Sequence, residues 1–198
     1  HTYPKEFGKY LDQDDKIMTL ISERYPGLSL LDSSKYVARY LLLRNVTAAR
    51  LKGIYLVRDV RGLVYSFKKK VQTSTPPIRT VIYYLVINFF AEVTYRVKPK
   101  GEILKIKYED LIKNPSRELK TIGKHIEHDL SQINQMINDN KEFNMPDIVG
   151  GNRIKSKKTI KFKGDLDWKD NMSRHEKTLY YILTIPFMLL NKYKLSGK

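Results

Sequence analysis

The spacing of apolar positions divides this chain into helices and short strands that alternate along the sequence. Some segments repeat apolar residues at helical spacing, whereas others are short apolar runs or alternate between apolar and polar residues. The predicted helices span residues 9–24, 36–51, 60–70, 76–97, 114–128, 130–139 and 173–193, the last with a kink at Pro186. The predicted strands span residues 27–35, 53–57 and 102–111. This alternation predicts an α/β fold with a parallel sheet covered by helices on both faces.

The strand at residues 53–57 ends in charged residues. Its sequence, Gly-Ile-Tyr-Leu-Val, is typical of a buried parallel strand and leads directly into Arg58 and Asp59. The following helix carries Ser66 about two turns from its start. Because ligands of parallel sheets bind at the carboxyl ends of strands, Arg58 and Ser66 could donate to one phosphate there. The alternative is that Arg58 pairs with Asp59 or another carboxylate and that Ser66 has no role.

The charge distribution favours an anionic partner. The net charge is +16, and residues 51–100 and 151–198 carry +8 each. Such blocks indicate nucleic acid, acidic lipid or a phosphorylated small molecule, with a solvated basic surface as the alternative. The tyrosines cluster in apolar helical segments rather than among basic residues, which argues against stacking on nucleic acid.

The amino-acid composition excludes several classes of protein and several kinds of functional site. A hydrophobic fraction of 41% in 198 residues predicts a globular chain, and we expect one domain over residues 1–198. No apolar run reaches the roughly 20 residues that a membrane span needs. The absence of cysteine excludes disulfides, thiolate nucleophiles and cysteine-ligated zinc.

Four motifs in this order resemble those of the sulfotransferases that use PAPS (3′-phosphoadenosine 5′-phosphosulfate), the bacterial and carbohydrate-type members in particular. No single motif is specific, but their order and spacing together are. The motifs are Leu-Asp-Ser-Ser-Lys at 31–35, Arg-Asp-Val-Arg at 58–61 with Ser66, Tyr-Glu-Asp-Leu at 108–111 before Asn-Pro, and Gly-Gly-Asn-Arg at 150–153 with Asp-x-x-Trp at 165–168. The resemblance covers about residues 28–195 and implies a three-layer fold similar to that of P-loop nucleotide hydrolases.

The resemblance also implies which residues bind the cofactor. Arg58 and Ser66 match the residues that hold the 3′-phosphate of PAPS, and Asn152 and Arg153 match the loop that closes over the nucleotide. Tyr108 matches a tyrosine near the adenine. Val60 stands where the family often has proline, which leaves the phosphate ligands intact. No metal is implied.

The sequence indicates the catalytic residues less clearly than the cofactor-binding residues. Lys35 is the candidate for stabilising the leaving phosphate, with a surface lysine as the alternative. Asp32 is the candidate base, with capping of the following helix as the alternative. Glu109 and Asp110 are expected to be structural, Asp110 as the cap of the next helix, and Trp168 is expected to pack the closing loop.

One family motif is missing from this sequence. Members have a glycine-rich loop after the first strand that holds the 5′-phosphosulfate, and no segment here has its form. We expect that this strand and loop precede the present residues. The alternatives are a loop supplied by another chain, or a nucleotide-binding protein without catalysis.

These observations predict transfer of a sulfuryl group from PAPS to a hydroxyl or amine, with a carbohydrate or another polar small molecule as acceptor. The alternatives are a catalytically silent PAPS-binding or interaction domain and a basic nucleic-acid-binding protein. Bacterial cytoplasm is the favoured compartment and the Golgi lumen the alternative. Membrane contact would depend on an anchor outside these residues or on the basic surface, and no oligomeric state is predicted.

Overall fold

The chain divides into two compact units, His1–Gly53 and Ile54–Lys198, and each is described by itself. The expectation of one domain over residues 1–198 stays a prediction. The computed structural model describes residues 13, 16–21, 23–26, 29–33, 36–46, 51–68, 76–144 and 158–197, without the side chains of residues 45 and 46.

The first unit is helical in part of the region where the sequence predicts helices. Residues 16–21 and 23–24 are helical, and helix α1 spans Val37–Val46. The strand predicted for residues 27–35 is wrong over its described part, because residues 29–33 have irregular backbone. Leu30 and Leu31 are both exposed, so this apolar pair has no core face against which a strand would be stabilised.

The second unit follows the predicted alternation of strands and helices. Its strands and helices, counted from the strand that leads into it, are β1 (Gly53–Val57), α2 (Val60–Lys68), α3 (Pro77–Val97), β2 (Ile103–Lys107), α4 (Tyr108–Lys113), α5 (Pro115–Ile126), α6 (Ser131–Asn138), β3 (Glu142–Asn144), β4 (Thr159–Lys161), α7 (Trp168–Asn171), α8 (Arg174–Leu183) and α9 (Ile185–Leu190).

Strands β1 and β2 pair in a small parallel sheet, and α2 and α3 form the crossover between them. This confirms the α/β class. The expectation that β1 is buried on both faces is wrong: Val57 is fully buried, whereas Ile54 and Leu56 are 40% and 48% exposed. Helices α2 and α3 contribute to the core that buries Val57 on one face of the strand.

The core of the second unit lies next to the end of β1. Val60 and Val64, one turn apart on α2, are fully buried together with Val57. Tyr84 of α3 and Met188 of α9 complete the same cluster. Buried residues therefore flank the turn between β1 and α2 on both sides in the sequence.

Several predicted boundaries need correction. Strand β2 ends at Lys107, because Glu109 and Asp110 favour the first turn of a helix, which begins at Tyr108. The cap of α5 is Asn114, whose side chain accepts from the Arg117 N–H at 3.2 Å, and the expected cap Asp110 lies within α4. The kink expected at Pro186 is a break at Thr184, since proline within the first turn begins a new helix, α9.

Strands β3 and β4 form a second, separate sheet of two strands. They pair antiparallel, with Phe143 opposite Ile160. Within the described ranges, no helix is both long and apolar enough to cross a bilayer.

An ion-pair network joins α3 to β2. Glu92, 7% exposed, accepts from Lys105 Nζ at 2.6 Å and from Arg96 Nε at 2.9 Å. The Lys105 ammonium also lies 5.3 Å from the centroid of the Tyr55 ring on β1. Burial alone would raise the pKa of Glu92, but the hydrogen bonds from Lys105 and Arg96 hold it below its ordinary value.

Glu92→Gln is expected to lower the free energy of unfolding at neutral pH by about 1–3 kcal/mol, because the half-buried Lys105 ammonium and the more exposed Arg96 guanidinium lose their charged acceptor. A carboxylate whose pKa is lower in the folded state contributes stability above its unfolded pKa, and that contribution is lost as the pH falls through the folded value. The difference from wild type should therefore shrink from about pH 5 downward. Urea unfolding across this range measures it, with exposed Glu23→Gln as control; a difference independent of pH would contradict it.

Candidate functional site

The carboxyl ends of β1 and β2 bring Arg58 and Tyr108 together. Arg58 is the first residue after β1, and Tyr108 is the first residue of α4, directly after β2. The guanidinium carbon of Arg58 lies 4.5 Å from the centroid of the Tyr108 ring, a cation–π contact. Two of the residues predicted to bind one nucleotide are thus in direct contact.

Asp165 contacts both members of this pair. Its N–H donates to the Tyr108 hydroxyl oxygen at 2.9 Å, and its carbonyl oxygen accepts from Arg58 Nη2 at 3.0 Å. Its carboxylate is more distant, with Oδ2 3.5 Å from the same arginine nitrogen. Arg58, Tyr108 and Asp165 are called the rim cluster below. One alternative stated above was that Arg58 pairs with Asp59 or another carboxylate. The structure contains such a pair, and its carboxylate is that of Asp165.

The Arg58 guanidinium retains donors that the described protein does not use. Its polar contacts within the described residues run through Nη2 alone, while its buried Nε has no hydrogen-bond partner there. A guanidinium carries five N–H donors in a planar fork that matches phosphate or carboxylate oxygens. The Arg58 side chain is 21% exposed, so a ligand can reach it. This geometry suits an anion with several acceptor oxygens.

Gly62 allows Trp168 to approach Arg58 from the side of α2. A Cβ at this position would lie 3.0 Å from Trp168 Nε1 and 3.2 Å from Arg58 Nε, both tighter than ordinary contact. Trp168 is 1% exposed and begins α7, three residues after Asp165. Trp168 is therefore packed in the interior and anchors one end of the segment that carries Asp165. Its predicted role in packing the closing loop stays a prediction, because residues 150–153 lie outside the described residues.

Gly164 fixes the other end of that segment. A Cβ there would lie 2.2 Å from Ile112 Cγ2 on α4, so only glycine fits. The backbone before Asp165 therefore lies directly on the helix that begins with Tyr108. Between Gly164 and Trp168, the main chain of Asp165 is held in place independently of its carboxylate.

Arg61, only three residues from Arg58, has a different environment. It is fully buried and pairs with Asp59 through two hydrogen bonds, Nε to Oδ1 at 2.9 Å and Nη2 to Oδ2 at 2.6 Å. Its remaining donors bind the carbonyl oxygens of Lys194 and Leu195 at 2.9 and 2.7 Å. Every nitrogen of this side chain is used within the protein, which makes Arg61 structural and leaves Arg58 as the ligand-binding candidate of the pair.

Glu109 braces the turn that carries Arg58, in agreement with its expected structural role. Its carboxylate accepts from the Asp59 N–H at 3.0 Å and from the Tyr193 hydroxyl at 2.7 Å. Burial, and then the neighbouring Glu109 carboxylate, raise the pKa of Tyr193 above its ordinary value. Tyr193 therefore remains a proton donor to Glu109, and both side chains are occupied.

The other predicted site residues are less defined than the rim cluster. Ser66 lies in the last turns of α2, half-buried, and its hydroxyl makes no hydrogen bond within the described part of the chain. Asp32, in the first unit, accepts from Arg39 Nε at 3.0 Å. Lys35, Asn152 and Arg153 lie outside the described residues. Their predicted roles, and that of Asp32 as a base, stay predictions.

Asp165 and Arg61 were not among the residues that the sequence predicted for the site. Asp165 belongs to the Asp-x-x-Trp motif, but nothing in its neighbours indicates contact with residues more than 50 positions away. The signal that could have found it is Gly164, since a glycine directly before a motif often marks close backbone packing. The described residues hold no group of three or more histidines, aspartates and glutamates that could bind a metal ion.

Comparison with known proteins identifies a family for most of the chain. A family model described as a sulfotransferase domain matches residues 23–178, a range that includes the rim cluster. Comparison with curated proteins and with solved structures found no match.

Proposed function

Since the chain belongs to the sulfotransferase family, we propose that it transfers a sulfuryl group from PAPS to a hydroxyl or amine of an acceptor. The observation that carries the choice of donor is Arg58, a partly exposed arginine at a strand end whose donors are largely unused by the described protein. In this proposal Arg58 binds the 3′-phosphate, the group that distinguishes PAPS from adenosine 5′-phosphosulfate.

The proposed cofactor site extends beyond the rim cluster. Ser66 is proposed as a second donor to the 3′-phosphate, because it lies on the helix that follows Arg58 and its hydroxyl is unpaired within the described part of the chain. Asn152 and Arg153 complete this subsite in the proposal. Tyr108 adjoins the adenine and also orients Arg58 through its ring.

The transfer itself is proposed as an in-line displacement. The acceptor oxygen or nitrogen attacks sulfur, the bond from sulfur to the phosphate oxygen breaks, and the acceptor proton passes to a base. PAPS supplies the activated sulfuryl group. Lys35 is proposed to stabilise the bridging oxygen of the departing phosphate, and Asp32 to accept the proton.

The proposal includes a three-layer, P-loop-like fold and a polar acceptor. The parallel pair of β1 and β2 with its helical crossover supports the first. The net charge of +16 favours a carbohydrate or another polar acceptor over an apolar one.

Calorimetric titration with PAP (3′-phosphoadenosine 5′-phosphate) and with 5′-AMP tests the donor site. The two ligands differ only in the 3′-phosphate. We expect PAP to bind about 10- to 100-fold more tightly, because charge-assisted hydrogen bonds contribute roughly 1.5–3 kcal/mol. Equal affinities would contradict the proposed 3′-phosphate site. Tight PAP binding without transfer to any acceptor would instead favour a silent nucleotide-binding domain.

A further inference from the structure

Glu109 joins the ends of the two paired strands. It follows Tyr108 directly, just after β2, and its Oε1 accepts from the N–H of Asp59 at 3.0 Å. Asp59 in turn follows Arg58 directly, just after β1. Arg58 and Tyr108 are thus the immediate neighbours in the sequence of the two residues that this hydrogen bond joins. The bond therefore links the main chains that carry the proposed phosphate and adenine contacts.

Both ends of this link are fixed by a second interaction. Glu109 Oε2 accepts from the Tyr193 hydroxyl at 2.7 Å, and Tyr193 is buried. Asp59 is also buried, and the Arg61 guanidinium binds its carboxylate at 2.9 and 2.6 Å. Neither Glu109 nor Asp59 can move without breaking a further hydrogen bond in a poorly solvated region, where such a loss is costly.

The contacts of Asp165 with the same pair are of another kind. Its main chain binds only the ends of the two side chains, the Tyr108 hydroxyl and Arg58 Nη2. Glu109 instead fixes the main chain from which these side chains begin. A binding group is held precisely when the residues that support it are themselves held by packing and hydrogen bonds. Glu109 is in the position to do this for Arg58 and Tyr108 together.

We propose that Glu109 is a positioning residue, whose carboxylate fixes the separation of Arg58 and Tyr108 and thereby the place of a phosphate relative to the adenine. The inference rests on the proposed function and deepens it, because it assigns the choice between positional isomers of the nucleotide to a residue that does not touch it. A phosphate on another ribose oxygen would lie outside the reach of an arginine fixed in this way.

Glu109→Gln tests this role with PAP and with 2′-phosphoadenosine 5′-phosphate, which have the same groups and charge and differ only in the position of one phosphate. Glutamine keeps the size, but its amide nitrogen cannot accept, so one of the two hydrogen bonds is lost. We expect the preference for PAP over its isomer to fall by about 3- to 10-fold, the contribution of one hydrogen bond. A residue that only stabilised the fold would weaken both isomers equally and leave their ratio unchanged.

Three further variants complete the test. Asp110→Asn removes the same charge one residue further along α4, and the ratio should stay within about twofold. Tyr193→Phe keeps Glu109 but removes the donor to its Oε2, so the ratio should fall by about 2- to 3-fold, which provides the same test if Glu109→Gln does not fold. In an Arg58→Ala background, Glu109→Gln should change the ratio by less than about twofold, because the arginine that it positions is absent. An unchanged ratio in a folded Glu109→Gln protein, or an equal fall in Asp110→Asn, would overturn the proposal.

A readout without nucleotide keeps this inference separate from the proposed function. The Tyr108 ring, whose centroid lies 4.5 Å from the guanidinium carbon of Arg58, shifts the NMR resonances of the arginine side chain, and Tyr108→Leu gives their unshifted positions. We expect Glu109→Gln to move these resonances toward the unshifted positions and Asp110→Asn to leave them in place. If PAP and 5′-AMP bind equally but this movement is found, the nucleotide assignment fails and the positioning role remains. If the Arg58 resonances of Glu109→Gln coincide with those of wild type, the positioning role is wrong whatever PAP does.

Discussion

Arg61→Met is expected to lower the free energy of unfolding by about 3–5 kcal/mol, because it leaves the buried Asp59 carboxylate without its partner. Among the described residues, the carboxylate then keeps only the Arg61 main-chain N–H as a donor, at 2.9 Å, since the other two bonds come from the lost guanidinium. The carbonyl oxygens of Lys194 and Leu195 lose their donors as well. We therefore also expect the end of the chain to become accessible to proteases in this variant.

Urea unfolding measures this effect, with two comparisons. Exposed Arg79→Met on α3 removes an arginine charge without a buried partner and should change stability by less than about 0.5 kcal/mol. Asp59→Leu combined with Arg61→Met removes both charges and should recover at least about 1 kcal/mol relative to the single variant. A single variant as stable as wild type would show that the Asp59–Arg61 pair does not hold the β1–α2 turn.

Arg58→Ala is expected to weaken PAP binding by about 100-fold while changing the free energy of unfolding by less than about 1 kcal/mol. The contrast with Arg61 follows from their surroundings. Arg58 is partly exposed and leaves donors unused, so its removal costs only the ring contact with Tyr108 and the partly exposed contacts with Asp165. Arg58→Lys keeps the charge but replaces the planar fork by a single ammonium, and an intermediate loss of about tenfold is expected.

Calorimetry with PAP and 5′-AMP, together with thermal unfolding, distinguishes the outcomes for Arg58. The affinity for 5′-AMP should change less than about twofold, because Arg58 is assigned to the 3′-phosphate alone. Equal losses for both ligands would show that Arg58 supports the whole site rather than one phosphate. Unchanged PAP binding would remove Arg58 from the site.

Much of the fold could be predicted from local pattern. The two prolines before Ile78 begin α3, and Asn114 with Pro115 begins α5, because caps and proline act within one turn. The predicted strand at residues 27–35 failed over its described part because the leucines there meet no core. The strand predicted for residues 102–111 was too long. The alternation of apolar and polar residues continues to Tyr108, where the helix already begins.

The candidate site could be predicted only in part. Arg58 was identified because it lies at a strand end, whereas the roles of Ser66 and Tyr108 were implied by the resemblance to a family. The order of the motifs indicated that family, and the match over residues 23–178 confirms it. Nothing local distinguishes Arg58 from Arg61, since both follow the same strand and both are arginines.

Chain order and residue type were therefore enough for the α/β class and the family, because these depend on patterns within a few residues. The different environments of Arg58 and Arg61 depend on contacts with residues that are far away in the sequence. Arg61 donates to the carbonyl oxygen of Lys194, 133 residues away, and Arg58 donates to the carbonyl oxygen of Asp165, 107 residues away. Whether a donor is used by the protein or left for a ligand depends on which distant segment folds onto it.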